Sequence, residues 1–186
     1  DYPHALRLSP DDTQLYVANV EDGSETVIDT QALSQVARIP VGTAPVQVGF
    51  TPSGDQVYVS LRDENRVAVF DTSHRELTNR IDVGPNPIQM LATPDGAFVY
   101  VANQGTDAEP NNTVSVIDTA TGQVVKTLTT GGGAHGVSAS ADGAFVFVTN
   151  IADDTVSIID VGSQEVVKTV PVGDRPNGIV YGGSSR

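Results

Sequence analysis

The sequence predicts an all-β fold built from four copies of one structural unit. A block of alternating apolar residues returns as LYVANV, VYVSLR, VYVANQ and VFVTNI, starting at residues 15, 57, 99 and 146. A second block ends in an aspartate each time, and these aspartates, at 42, 47 and 42 residues from one to the next, are Asp29, Asp71, Asp118 and Asp160. Repeats of this length with strand-like alternation are typical of a β-propeller, in which each repeat forms one blade.

Each unit reads as four short antiparallel strands separated by turns. Valine, isoleucine and tyrosine alternate with small or polar residues in the second and third strands, which is the period-two pattern of a pleated sheet. Turn residues such as Pro94-Asp95-Gly96 separate the strands. In the third unit the strands are predicted over 88–93, 98–103, 113–118 and 123–129. The four blades are expected over about 3–44, 45–86, 87–133 and 134–175, followed by the first strand of a fifth unit at 176–181.

The repeats also resemble a known family. The segments VYVAN, NTVSVIDTATGQVVKTLTTG and SADGAFVFVTN are similar to the YVTN-type β-propeller repeat family, and the similarity covers nearly the whole chain. This resemblance implies a propeller and says little about chemistry, because the family name describes a fold repeat. Members usually close with seven blades, or roughly 290 residues. The resemblance therefore implies a partial ring, a ring completed by missing sequence or by a second copy, or a four-bladed ring that closes alone.

Composition excludes several classes of function. The formal charge of −13 would repel a polyanion, so we expect no nucleic-acid partner. No run of eighteen apolar residues predicts a membrane span. The absence of cysteine excludes disulfides and thiolate metal sites. An acidic surface with only two lysines favours an extracellular, cell-surface or periplasmic location, although no signal-peptide pattern is visible at residues 1–10.

The first strand of each unit is expected to line the central channel. Its entry position is occupied by His4, Val46, Ile88, His135 and Asn177. The two histidines could bind a metal or haem iron or act as acid–base groups. Alternatively, they are residues that the repeat carries for its own structure. The candidate ligand-binding residues at the channel mouth are His4, His135, Arg175 and Asn177.

The third unit is five residues longer than its neighbours, and the excess lies in QGTDAEPNN at 104–112. Asp63 and Glu64 are expected on the same face. Hard oxygen donors of this kind suit Ca²⁺, although the spacing does not match a twelve-residue calcium loop. We predict no cofactor, with Ca²⁺ or another divalent cation as the candidate exception. The candidate ligands for such a cation are Asp107, Glu109, Asn111, Asp153 and Asp154. The alternative is a solvated loop whose deletion, from Asp107 to Asn111, would leave thermal stability nearly unchanged.

The four repeated aspartates are predicted to have a structural role. A short side-chain acceptor at the end of a strand can bond the next backbone N–H groups and start a hairpin. The same duty would recur in every blade, so these residues are not interpreted as a carboxylate ring.

Together, these features favour a non-enzymatic binding scaffold of the YVTN type, outside the cytoplasm, that presents loops at the channel mouth to a protein or a surface glycan. The alternative is part of a propeller enzyme or electron-transfer protein. The resemblance extends, more distantly, to lactonase-like and haem-carrying propellers. For a haem propeller, His4, His135 and Arg175 are the available candidates. Whether the protein is an enzyme is left open.

Overall fold

The computed structural model describes residues 2–182 and contains four separate antiparallel sheets, one for each repeat. The predicted all-β fold class is therefore confirmed. The first sheet has strands β1 (Pro3–Leu8), β2 (Gln14–Asn19), β3 (Ser24–Asp29) and β4 (Ser34–Pro40). The second has β5 (Pro45–Phe50), β6 (Gln56–Leu61), β7 (Arg66–Asp71) and β8 (Leu77–Asp82). The third has β9 (Pro87–Ala92), β10 (Phe98–Gly105), β11 (Pro110–Asp118) and β12 (Gln123–Thr129). The fourth has β13 (Ala134–Ala139), β14 (Phe145–Asn150), β15 (Thr155–Asp160) and β16 (Glu165–Pro171).

We call these sheets blades 1 to 4. In each one the strands follow chain order from the innermost to the outermost. The innermost strands β1, β5, β9 and β13 contact one another in sequence, so they line the central channel. Helical structure within residues 2–182 is limited to a 3-10 turn at Arg62–Glu64. None of the described helical structure is long and apolar enough to cross a membrane.

The core lies in the joints between successive blades, where the apolar faces of neighbouring sheets meet. Tyr16 and Val27 of blade 1 pack with Val59 and Phe70 of blade 2. Equivalent clusters fill the joint between blades 2 and 3 and the joint between blades 3 and 4. Because side chains alternate across a strand, one set of residues serves the preceding joint and the other set serves the following joint. Both faces of the inner blades are therefore buried.

The repeated aspartates start the hairpins between the third and fourth strands, as predicted. Asp29 Oδ1 accepts hydrogen bonds from the backbone N–H groups of Gln31 and Ala32, at 2.9 and 2.7 Å. The equivalent aspartates accept bonds at 2.8, 2.7 and 2.8 Å from the backbone N–H groups of His74, Thr121 and Ser163. A carboxylate in each blade is thereby used to fix a turn.

Every outermost strand carries a β-bulge at the same place. In blade 1, Val27 pairs with Ala37 while Ile28 pairs with Gln35, which leaves Val36 without a partner. The residues left over in the same way in the other blades are Thr78, Val125 and Val167. A bulge interrupts the regular row of N–H and C=O groups that an edge strand offers to another strand. The outer edges are thus poor templates for strand addition.

The five-residue insertion in blade 3 is an extended hairpin. Strands β10 and β11 continue beyond the predicted limits at 103 and 113, and Gly105 pairs with Pro110. The Thr106 N–H donates to the Glu109 carbonyl at 3.0 Å and closes the tip. At the base of the hairpin, the Asn111 carbonyl accepts from the Gly133 N–H at 2.8 Å. The base of the insertion is therefore held by hydrogen bonds, while its tip at residues 106–110 is exposed to solvent.

The segment expected to begin a fifth unit, 176–181, forms no strand, because no described strand pairs with it. It nevertheless lies against blade 4. The Tyr181 N–H donates to Ser138 Oγ at 2.9 Å, and the Tyr181 ring stacks on Phe147 with a centroid distance of 6.1 Å. Phe50 and Tyr16 form the corresponding aromatic pair across the joint between blades 2 and 1. The segment thus occupies the position of a following blade's first strand.

The hairpin contacts change the expected result of deleting Asp107 to Asn111. The deletion removes the Asn111 carbonyl that binds Gly133 and the Asn111 side chain that accepts from Thr113 at 2.6 and 3.0 Å. Loss of two or three such bonds should lower the free energy of unfolding by about 1–3 kcal/mol. Thermal and urea unfolding would measure this loss. Asp107→Ala, at the exposed tip, is the control and should be close to neutral. An unchanged melting temperature in the deletion variant would restore the solvated-loop interpretation.

Candidate functional site

The candidate site is the end of the channel where the histidines lie. His4 is the second residue of β1, and His135 is the second residue of β13. Val46 and Ile88 hold the same place in β5 and β9. The innermost strands therefore present two imidazoles and two aliphatic side chains at one level of the channel.

His4 is exposed, and its ring is oriented by the neighbouring blade. Its Nδ1 lies 2.8 Å from the carbonyl oxygen of Val46, across the joint between blades 1 and 2. A carbonyl only accepts, so Nδ1 carries the proton in this bond. In the neutral ring Nε2 then has a free lone pair, which is the form of imidazole that binds a metal or accepts a proton.

His135 is more enclosed than His4. Its Nδ1 is buried and has no hydrogen-bond partner. Burial lowers the pKa of His135, a hydrogen bond to the backbone of Asn177 acts in the opposite direction, and the charge of His4 lowers the pKa further. The two histidines are therefore near enough to influence each other's charge, and His135 is neutral at pH 7.

Asn177 and Arg175 lie on the segment that follows blade 4. Asn177 takes part through its backbone, which bonds to His135. Arg175 has a left-handed backbone, with φ of 48°, and its N–H donates to Asp154 Oδ1 at 2.7 Å. Its guanidinium is 65% exposed and lies 3.7 Å from the carboxylate of Asp107, which is 86% exposed. An ion pair this open contributes little, so the guanidinium stays available to a ligand.

Residues predicted as part of a cation rim form hydrogen bonds with nearby loop residues. Asp153 Oδ2 accepts from the Gly132 N–H at 2.7 Å, and Asp154 binds the backbone of Arg175. Asn111 accepts from Thr113, and the Glu109 backbone N–H donates to Thr106 Oγ1 at 3.0 Å. Across residues 2–182, no three or more histidine, cysteine or acidic side chains come together in a group that could hold a metal ion. The rim residues are therefore not gathered into one such group, and the cation site stays a prediction.

The other acidic residues expected on this face are paired with arginines. Asp63 binds Arg62 at 2.7 Å, and Glu64 binds Arg80 at 3.2 Å. Glu64 also accepts from the Thr43 N–H at 2.5 Å, which fixes the loop between blades 1 and 2. This face therefore carries positively and negatively charged side chains that pair with each other.

Two further polar residues of the inner structure are absent from the motif-based candidates. Gln89 lies on β9, and its Oε1 accepts from the Val137 N–H at 3.4 Å, between the innermost strands of blades 3 and 4. Glu25 is buried in the joint between blades 1 and 2. Alignment of the repeats provides the signal for Glu25, since the other units have valine at its position.

The fold and channel define the chain as a β-propeller protein. Residues 4–104 match the family model described as cytochrome D1 heme domain, which is more than half of the chain, and the chain belongs to this family. Residues 92–183 match a second model, described as YNCE-like β-propeller. The predicted resemblance is thus confirmed for the β-propeller class. Assignment to the YVTN repeat family itself is not confirmed.

Solved structures support the same fold. The hydrazine synthase of Kuenenia stuttgartiensis has 28% sequence identity and a TM-score of 0.85, over 91% of this chain and 49% of that one. The dihydro-heme d1 dehydrogenase NirN, solved in complex with DHE, has 20% identity and a TM-score of 0.74, over 96% of this chain and 39% of that one. The chain spans less than half the length of either protein. No curated protein is similar enough to count as a match.

These comparisons correct the cofactor prediction. We expected no cofactor, with Ca²⁺ or another divalent cation as the exception. The match to the cytochrome D1 heme domain model points instead to a haem-related group. Sequence reasoning considered a haem propeller as an alternative but had no iron-binding motif to support it.

The state of His135 predicts a pH dependence of stability. Its pKa is lower in the folded protein than in the unfolded chain, so the unfolded chain takes up a proton first as the pH falls. The contribution of His135 to stability is constant above the unfolded pKa of about 6.5 and falls as the pH drops below it. His135→Gln should reduce the loss of stability between about pH 7.5 and 5.5 in urea unfolding. A pH dependence in His135→Gln equal to that of the wild type would refute this assignment.

Proposed function

We propose that this chain forms part of a propeller that holds a haem-type tetrapyrrole at its channel mouth. The observation that carries the proposal is the pair of channel histidines. His135 is a neutral, largely buried imidazole whose Nδ1 has no partner, and His4 is held by Val46 so that its Nε2 is free. The family match and the name of the NirN structure support the nature of the ligand.

The residues present fit such a group in two respects. An unpartnered imidazole nitrogen can coordinate iron through its lone pair, or it can form a hydrogen bond with a ligand of iron. The exposed guanidinium of Arg175 can pair with the carboxylates that tetrapyrroles carry on their edge. When bound, the group supplies a redox-active iron or a conjugated macrocycle. The chain's own part is to orient two imidazoles from opposite blades and to place a cation at the rim.

The other side of the channel wall requires further blades. In blades 2 to 4, the face turned toward the preceding blade is fully buried, as Val59, Val101 and Val148 show. The equivalent residue in blade 1, Val17, is only half-buried, and Leu6 beside it on β1 is 64% exposed. This face of blade 1 therefore has the composition of a blade joint without its partner.

We assign the missing partner to further sequence of the same protein. A second copy could close the ring only by placing its β1 where residues 176–182 already lie against blade 4. The Tyr181 contacts with Ser138 and Phe147 hold that position. The 186-residue chain should therefore sediment as a monomer near 19.4 kDa at low micromolar concentration. A mass of twice this value would refute the assignment, and Val17→Asp, compared with Val36→Asp on the outer bulge, would show whether the blade 1 face forms the dimer.

We also propose that the mouth loops bind a protein or a surface glycan and that the protein lies outside the cytoplasm. Any enzymatic activity belongs to the same proposal. The extended hairpin of blade 3 supports loop presentation because its tip at residues 106–110 is exposed and its base is hydrogen-bonded. The scaffold function becomes the preferred one if the channel binds no tetrapyrrole.

Titration with iron protoporphyrin IX tests the proposed function directly. We expect a shifted Soret band that saturates with the protein, and a weaker affinity, by about tenfold or more, for His135→Ala and for His4→Ala. His74→Ala, whose side chain lies on an exposed turn, is the matched control and should bind as the wild type does. If the wild type produces no Soret shift, or if all three variants bind equally well, the haem proposal fails.

A further inference from the structure

Glu25 is a buried acid in the joint between blades 1 and 2. It lies on β3, where it pairs with Ala18 of β2 and Ile39 of β4. Side chains alternate along a strand, so Glu25 is on the same face as Val27, which packs against blade 2. Only 1% of the residue is exposed, and neither carboxylate oxygen has a hydrogen-bond partner. An acid in this situation is unusual, because buried carboxyl groups are normally paired.

The repeats show that this acid is specific to one joint. The positions equivalent to Glu25 in blades 2, 3 and 4 are occupied by Val67, Val114 and Val156. The opposite side of the joint has changed as well. Blades 3 and 4 have a buried asparagine at the end of the second strand, Asn103 or Asn150, while blade 2 has Leu61.

These two changes are reciprocal. In the joint between blades 2 and 3, the preceding blade supplies Val67 and the following blade supplies Asn103, whose amide donates to Thr113 and Ser115 at 3.0 Å each. In the joint between blades 1 and 2, the preceding blade supplies Glu25 and the following blade supplies Leu61. The buried polar group of this joint therefore lies on the preceding blade instead of the following one. Unlike the asparagine, it is ionisable and has no hydrogen-bond partner.

The surroundings of Glu25 favour the neutral acid. Burial raises the pKa of Glu25 well above its usual value. Tyr16 is the titratable group on the same face of blade 1. Burial is the main cause that raises the pKa of its phenol, and the charge of Glu25 adds to it. From blade 2, Arg75 and Asp71 face Tyr16, and their charges act on its pKa in opposite directions.

At the mouth end of the same joint, the charged groups are already engaged with each other. Arg80 and Glu64 form an ion pair beside Gly42, and the second guanidinium nitrogen of Arg80 donates to the Val41 carbonyl at 2.9 Å. Within residues 2–182 no ion pair reaches Glu25. An ionised Glu25 would therefore be an uncompensated charge between two apolar sheets.

The same joint controls a residue of the candidate site. The bond from His4 Nδ1 to the Val46 carbonyl joins the innermost strand of blade 1 to that of blade 2. Any separation of the two blades lengthens this bond. Glu25 and the bond between His4 and Val46 thus lie at the same interface between blades 1 and 2.

We propose that Glu25 makes the joint between blades 1 and 2 a proton-operated device. With the neutral acid, the joint packs closed and His4 is held on Val46. When the acid loses its proton, the carboxylate draws water into the joint, the blades separate, and His4 is released. The device is a property of the interface and does not depend on haem binding.

Linkage determines the direction of the effect. The closed joint holds the proton more tightly than the open joint or the unfolded chain does. The closed form is therefore fully favoured below the usual glutamate pKa, and its advantage is lost as the pH rises toward the raised pKa. Within that range, the population of the open joint should grow by up to about tenfold per pH unit.

Hydrogen exchange of the amides in β2 and β3, corrected for intrinsic rates, measures the open population between about pH 5 and 8.5. In the wild type, protection should fall with rising pH. In Glu25→Gln, which keeps the shape of the neutral acid, and in Glu25→Val, which restores the residue of the other blades, protection should not change with pH. Both variants should unfold at higher urea concentration than the wild type at pH 8.

A second readout separates a joint that opens from an acid that only destabilises the core. The proton on His4 Nδ1, observed by NMR, should be lost to exchange at a lower pH in the wild type than in Glu25→Gln. Val67→Glu places the same acid in the joint between blades 2 and 3, and it should leave the His4 signal unchanged. Equal pH dependence of exchange and of the His4 signal in the wild type and in Glu25→Gln would overturn the proposal.

Discussion

The face-to-face contact between neighbouring sheets is the interaction on which the rest of this chain depends. A four-stranded sheet of six- to nine-residue strands that is apolar on both sides cannot remain stable alone in water. Each blade therefore derives its stability from its neighbours, as in other repeat proteins. The channel, its histidines and the loops at its mouth are positioned by three such joints. Small changes inside a joint, such as the exchange of valine for Glu25, consequently reach residues on the channel wall.

The fold was predictable because the sequence contains four repeats of the same structural unit. The spacing of Asp29 and its three counterparts gives the blade length, and the alternation in LYVANV gives the strands. The hairpin duty of the aspartates follows from residue type alone, and the structure confirms it. The predicted strands failed in two places, at residues 104–112 and at 176–181, where no strand forms. At 104–112 the same residues suit either a loop or a longer hairpin, and only the pairing of Gly105 with Pro110 decides between them.

The candidate site was predictable in part. Repeat alignment placed His4 and His135 at equivalent positions, but their mutual influence depends on how far the ring curves, which no local pattern records. The candidate cation rim stays a prediction, and a carboxylate beside a loop has backbone N–H groups within reach. Asp153 and Asp154 bind those groups, and a metal would have to compete with them. Glu25 is visible in the sequence as one acid among valines, yet its burial without a partner could be known only from the packed joint.

The repeated bulge on the outermost strands has a consequence for how such a chain can lengthen. When a blade is duplicated in a gene, the copy brings its own interruption of the edge at the position of Val36, Thr78, Val125 or Val167. Each added unit therefore arrives already protected against cross-β association with other molecules in a crowded compartment. Growth by duplication does not raise the hazard of aggregation at the rim, so the number of blades is free to follow the size of the ligand that the ring encloses.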